Sequence, residues 1–149
     1  MEQHSEQKFR VLIADDEALI RKLVSEFLQG EGHKVDQAVD GSDAWEQLAN
    51  QQYDYVILDL RMPKLNGLEV LRLMRRLKLR PRVILVTGEK TTYIEKTALT
   101  LGAAGCYQKP LSLDKLLADL IWAPCFSGRP SNHLDPSEQP LEFMPLLKR

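Results

Sequence analysis

Four short polar blocks of this 149-residue sequence carry side chains able to do chemistry together: Asp15-Asp16, Asp59, Thr87 and Lys109. Three carboxylates gathered in one pocket repel one another, and they stay ionised only with positive charge among them. Lys109 supplies one such charge, and a divalent cation supplies the rest. All-oxygen ligands from few protein donors suit Mg²⁺, which keeps several of its waters. With the charge neutralised, Asp59 is a nucleophile toward a phosphoryl group. Lys109 and the Thr87 hydroxyl are then candidates to hold the phosphoryl oxygens, because phosphoryl transfer needs little beyond positioning and charge neutralisation.

Each of these residues follows a short apolar run, and the elements that must position them are five strand–helix units. The central stretch is 55–67. It opens with a buried-strand run, Tyr55-Val56-Ile57-Leu58, and stops at Asp59. It then turns through Pro63 and Asn66-Gly67, and a helical pattern begins at Leu68. A first strand is expected over 9–14. The helix after it carries Leu19, Ile20, Leu23, Val24, Phe27 and Leu28 on one face, and Gly30 and Gly32 stop it. A second strand over 33–39 ends at Asp40, and the turn 40–43 caps a short helix with Ala44, Trp45, Leu48 and Ala49 inward. The third helix repeats Leu68, Leu71, Met74 and Leu77, with Arg72, Arg75 and Arg76 as a solvated basic face. A fourth strand over 83–86 runs into Thr87-Gly88, and a helix over 92–101 follows with Ile94, Ala98 and Leu101 as its stripe. A short fifth strand, 106–108, runs into Lys109-Pro110. The last helix, 113–121, is expected to bury Leu113, Leu116, Leu117, Leu120 and Ile121.

Strict alternation of this kind predicts an α/β, flavodoxin-like doubly wound fold. Five parallel strands lie in the order 2-1-3-4-5, with five flanking helices and right-handed crossovers. In that order the first and third strands are central neighbours, and the ligand crevice opens at their carboxyl ends. Asp40 ends the outer second strand and stays outside the set.

Composition limits the remaining readings. A hydrophobic content of 44% and a charged content of 28% are ordinary for a globular domain. The net charge of −1 gives no reason to expect direct nucleic-acid binding. No apolar run approaches membrane-spanning length, and residues 1–8 form a polar extension without a signal-peptide pattern. Cys106 and Cys125 read as unpaired thiols, Cys106 buried and inert, which places the chain in the cytoplasm. His4, His33 and His133 have no partner at metal-ligand spacing. The domain is expected over 9–122. Residues 123–149 form a Pro-rich tail or linker whose end, 141–147, is apolar enough to dock on something.

Taken together, Asp15-Asp16, Asp59, Thr87 and Lys109-Pro110 resemble the response-regulator receiver domain of two-component signalling, of the chemotaxis-regulator kind. The resemblance covers about residues 9 to 122. It implies that Asp59 is the phosphoacceptor. It implies Mg²⁺ held by Asp16, Asp59 and the backbone carbonyl of Arg61, with Asp15 acting through water. Thr87 and Lys109 contact the phosphoryl group, the Lys109–Pro110 bond is cis, and Thr87 moves together with the switch aromatic, Tyr107. The implied partners are a histidine kinase or histidine phosphotransfer protein and an unknown effector domain or target. A homodimer through the fourth helix, fifth strand and fifth helix is permitted by the charged residues Lys90, Glu95, Lys96, Asp114, Lys115 and Asp119. The chain then acts as a phosphorylation-dependent signalling module and not as an enzyme, since it catalyses only its own phosphorylation and dephosphorylation.

Plainer readings stand beside these. Asp15-Asp16-Glu17 can be acids at a helix N-terminus, Thr87 can cap the following helix, and Tyr107 can be strand packing. The main alternative is a degenerate receiver serving as a scaffold. An Asp-nucleophile phosphatase is disfavoured because its second acid falls at Arg61. Arg61 and Glu89, two residues beyond Asp59 and Thr87, have opposite charges and are expected to pair across the pocket mouth and restrict water.

Overall fold

The computed structural model describes residues 8–126, with side chains as far as Asp119. Five parallel strands, β1 (Arg10–Ala14), β2 (Lys34–Ala38), β3 (Tyr55–Asp59), β4 (Arg82–Thr87) and β5 (Gly105–Gln108), form one sheet in the order β2-β1-β3-β4-β5. Helices α1 (Ala18–Gly30), α2 (Gly41–Asn50), α3 (Gly67–Arg76), α4 (Thr92–Thr100) and α5 (Leu113–Phe126) follow the strands in turn. This is the flavodoxin-like doubly wound arrangement that the alternation predicts.

Successive strand residues point to opposite faces, so each strand feeds two cores. Leu12, Ala14, Val56, Leu58, Val83 and Leu85 pack with Ala44 and Leu48 of α2, Val70, Leu71 and Met74 of α3, and Ala98 of α4. Val11, Ile13, Tyr55, Ile57, Ile84 and Val86 pack on the other face with Val24 and Leu28 of α1 and Leu116 of α5. Every residue of β3 is buried, as expected of a central strand covered on both sides.

The helices bury narrower stripes than their sequences predict. On α1, Leu19 and Leu23 are 66% and 51% exposed, while Val24 and Leu28 are buried. Leu19 and Leu23 each lie one residue, about 100° of turn, away from the Ile20 and Val24 row that meets the sheet. Ala49 of α2 faces solvent. On α3 the buried row is Gly67, Val70, Leu71 and Met74, so Val70 joins the core and Leu77 at the C-cap leaves it. The last helix does not stop at residue 121 but runs to Phe126, through Pro124. Leu116 is fully buried there and Leu113 and Leu117 are half-buried. The expected burial of Leu120 and Ile121, and the environments of Cys125, His4 and His133, lie outside the described side chains.

Two glycines fix the loop between β3 and α3. A Cβ on Gly67 would stand 2.7 Å from the Asp59 carbonyl oxygen, and one on Gly41 would stand 1.8 Å from the Leu65 carbonyl oxygen. Only residues without a side chain allow these approaches. The Gly41 N–H also donates to the Pro63 carbonyl at 3.3 Å, and the Lys64 ammonium lies 3.4 Å from Asp40. Asp40 itself accepts from the Asp43 N–H as the N-cap of α2, its carboxyl held low by that bond. Asn66 and Glu69 form a capping box that starts α3.

Candidate functional site

Strand register assembles the site. Ala14 pairs with Leu58, so the next residues on each strand, Asp15 and Asp59, emerge side by side at the carboxyl edge. Asp16 follows in the turn toward α1, and Asp15, Asp16 and Asp59 each bring a carboxylate oxygen within 4.8 Å of the others. Asp15 and Asp59 are buried and Asp16 is exposed. Asp15 is oriented by its own turn, accepting from the Glu17 N–H at 2.8 Å, while its carbonyl accepts from the Arg21 guanidinium at 2.7 Å.

Lys109 reaches into this group from the end of β5. Its Nζ lies 3.3 Å from Asp15 Oδ2, 3.4 Å from Asp59 Oδ1 and 3.4 Å from Glu17 Oε1. The Lys109–Pro110 peptide bond is cis. Burial pulls the Lys109 ammonium toward deprotonation, but Asp59 and Asp15 outweigh it, and its pKa rises above the ordinary lysine value. Asp59 goes the other way: burial first and the Asp15 charge second push its carboxyl up to about 6, with Lys109 only partly opposing them. One resident cation therefore does not neutralise the pocket. A third, exposed carboxylate at Asp16 and an excess of negative charge are the donor chemistry of a hard divalent cation. The three carboxylates together fit such an ion.

Thr87 is fully buried at the end of β4. Its hydroxyl donates to the Glu89 carbonyl at 3.3 Å and accepts from the Glu89 N–H at 3.1 Å, so it organises the loop into α4. It does not cap that helix; Thr91 does, accepting from the Ile94 N–H. The Thr87 carbonyl accepts from the Lys109 N–H at 2.8 Å, which ties the two strand ends together. At the mouth, Arg61 Nη2 lies 3.9 Å from Glu89 Oε1, the pairing that the sequence predicts, with both side chains largely in solvent.

Tyr107 is half-buried on β5, opposite Val86. Its hydroxyl donates to Asp119 Oδ2 at 2.5 Å, and the Lys115 ammonium sits 5.5 Å from its ring centroid. Asp119, one of the charged residues of the permitted dimer surface, is engaged twice, since its backbone carbonyl also accepts from the Tyr55 hydroxyl at 2.7 Å. Glu17, read from sequence only as a helix-start acid, also belongs to the site through Lys109. Its place directly after the acidic pair was the available signal. Cys106 is buried, and burial raises its thiol pKa.

Comparison with known proteins agrees with this geometry. Residues 11–121 match the family model of the response regulator receiver domain. The transcriptional regulatory protein DltR of Streptococcus agalactiae is 38% identical over 109 residues, covering 73% of this chain and 49% of that one. The response regulator ArlR of Staphylococcus aureus is 34% identical over the same length and shares. The chain thus spans about half the length of the curated relatives it matches. Among solved structures, the receiver domain of a putative response regulator, NarL, from Mycobacterium tuberculosis superposes with a TM-score of 0.72 at 31% identity, covering 83% of this chain and all of that one. A Francisella response regulator receiver domain gives a TM-score of 0.73 at 26% identity, covering 76% and 93%.

Proposed function

This chain belongs to the response regulator receiver family, whose work is phosphorylation-based signalling, and from that membership we propose that Asp59 is its phosphoacceptor. The observation that carries the assignment is the meeting of Asp59 with Lys109 at 3.4 Å inside a cluster of three carboxylates. Asp16, Asp59 and the Arg61 backbone carbonyl would hold Mg²⁺, with Asp15 acting through water. When bound, Mg²⁺ supplies the positive charge that keeps Asp59 ionised and screens the incoming phosphoryl oxygens.

The chain's own residues do the rest. An ionised Asp59 oxygen attacks phosphorus, and the bond from phosphorus to the donor's nitrogen or oxygen breaks, leaving an acyl phosphate. Lys109 gives up part of its pairing with Asp59 and turns its ammonium to the phosphoryl group. Thr87 exchanges its bonds to Glu89 for a phosphoryl oxygen, and the loop into α4 moves with it. Tyr107 shifts in concert, and the surface of α4, β5 and α5 changes its binding preference, a population shift between two states. Dephosphorylation by water returns the resting state, and the Arg61–Glu89 pair restricts that water.

The donor is a histidine kinase or histidine phosphotransfer protein in the cytoplasm. The output is an effector domain or separate target, for which the name of DltR as a transcriptional regulatory protein offers one precedent. The receiver unit is residues 9–122, with the helical continuation to Phe126 leading into the tail. A homodimer through α4, β5 and α5 is one form the switched surface can take.

The test is incubation of the purified chain with a small acyl phosphate and Mg²⁺, followed by intact mass. Addition of one phosphoryl group, absent in Asp59→Asn, is expected. No addition under any donor would leave a degenerate receiver acting as a scaffold.

A further inference from the structure

The basic face of α3 gathers cations without carboxylates to balance them. Residues 72–82 hold five of the chain's ten arginines and one lysine, and no acid occurs between Glu69 and Glu89. Arg72, Arg75 and Arg76 lie within about 100° of one another around the helix, and Lys78 and Arg80 continue the patch into the loop before β4. Arg72, Arg76, Lys78 and Arg80 are exposed, and among the described residues none of these four has an ion-pair partner. Glu69, the acid that α3 itself carries, accepts from the Asn66 N–H at 2.8 Å in the capping box, and Glu95 of α4 pairs with Lys90 at 3.7 Å. Burial first and the Arg80 charge second lower the Arg75 pKa, so the cations crowd one another.

The helix dipole accounts for Arg75 and Arg76, which stand in the last turn. It does not account for Arg72, one turn earlier, or for Lys78 and Arg80, which lie beyond the helix. Like charges kept together at this density repel, and an anionic partner relieves the repulsion.

The make-up of the patch selects the partner. Arginine forks pair bidentately with carboxylates and with phosphates. Leu77 is 55% exposed among the cations, and a nucleic-acid backbone offers it no apolar surface. A lipid surface calls for a broad apolar helix face, but the apolar row of α3, Val70, Leu71 and Met74, is buried in the core. A protein segment with carboxylates around an apolar side chain satisfies both the arginines and Leu77. We propose that the outer face of α3 and the loop 77–80 dock an acidic segment of a partner protein, at the end of the sheet opposite Asp59. This surface does not include α4, β5 or α5, and the proposal stands whether or not Asp59 accepts a phosphoryl group.

Fluorescence anisotropy on the intact chain tests it, with a short labelled peptide of Glu and Asp carrying Leu at its centre. Arg72→Glu/Arg76→Glu is expected to weaken binding roughly tenfold or more. Lys22→Glu/Lys34→Glu, the same change of charge on α1 and β2, is expected to weaken it by no more than about twofold, because salt screens distant charges. Leu77→Ser keeps every charge and is expected to weaken it roughly fivefold. Unchanged urea midpoints show that the variants keep the fold. No binding by the wild type overturns the proposal, and so does binding that Arg72→Glu/Arg76→Glu or Leu77→Ser leaves intact. Tighter binding of duplex DNA or of phosphatidylserine vesicles through the same two arginines overturns it as well, making the patch a phosphate site. Self-association of the wild type that Arg72→Glu/Arg76→Glu abolishes would make the occupant the acidic edge of a second copy, against the proposal.

Discussion

The Tyr107 phenol donates to an Asp119 carboxylate oxygen at 2.5 Å, fastening the fifth strand to the fifth helix. Burial first, then this acceptor, raises the phenol pKa to about 12. In Asp119→Ala the half-buried hydroxyl loses its partner, which is expected to cost about 1–2 kcal/mol. The phenol pKa then falls part of the way toward 10.0, because the burial contribution remains. The Tyr55 bond goes to the Asp119 backbone and survives the change. Denaturant unfolding and an absorbance titration of the tyrosines read both effects. A variant with wild-type stability and an unshifted phenol would show that Asp119 does not hold the ring.

Asp59 makes the metal-free domain pH-sensitive. Its folded pKa of about 6 lies above its ordinary 3.8, so the folded state binds the proton more tightly than the unfolded chain. The resulting stabilisation is full below about pH 4 and is lost as pH rises through about 6, a change of about 3 kcal/mol at most. Asp59→Asn is expected to flatten that slope and to be the more stable form near neutrality. Added Mg²⁺ should stabilise the wild type by about 2.7 kcal/mol at a hundredfold excess over its dissociation constant, and less near pH 5, where the proton competes. Urea midpoints across pH, with and without Mg²⁺, decide the matter. A wild-type curve as flat as that of Asp59→Asn would remove the carboxylate from the account.

Arg61 and Glu89 form an exposed, solvent-screened pair at 3.9 Å, so breaking it leaves stability unchanged within about 0.5 kcal/mol. The expected effect is kinetic: Arg61→Ala and Glu89→Ala each shorten the life of the acyl phosphate on Asp59. Decay of the phosphorylated mass after removal of the donor gives the lifetimes. Lifetimes equal to wild type in both variants would show that the pair does not restrict water.

Gly41→Ala is expected to cost about 1–3 kcal/mol or more, because its Cβ would stand 1.8 Å from the Leu65 carbonyl oxygen, a backbone atom with no rotamer to yield. The displaced loop is the one that carries the Arg61 carbonyl, so Mg²⁺ affinity should fall with stability. Gly88→Ala, with open space around its Cβ, is the matched control and should do neither. Thermal denaturation with and without Mg²⁺ compares them.

The strand order and the site residues are legible in sequence for one reason. A central parallel strand is apolar along its whole length, so the first polar residue after it marks the functional edge. Asp59, Asp15 and Thr87 follow that rule, whereas Lys109 comes after the short edge strand β5, which already ends in polar Gln108. The helix faces were harder to read. Leu19, Leu23 and Leu77 share the 3.6-residue period of the core, but periodicity gives the direction of a face and not the width of the surface that meets it. Val70 adds to a stripe whose leucines already mark the face, so periodicity does not single it out. The Asp119–Tyr107 bond and the Glu17–Lys109 contact were invisible because each joins residues on separate elements, and a lone acid on a helix carries no mark of its partner.

The counter-charge of the acidic cluster arrives on β5, an edge strand that pairs only with β4. Translation delivers Asp15, Asp16 and Asp59 well before Lys109. A nascent or truncated chain that stops short of Lys109 therefore displays three carboxylates without the ammonium that meets two of them. Charge balance at this edge of the sheet is thus set late in synthesis, by the residue that follows β5.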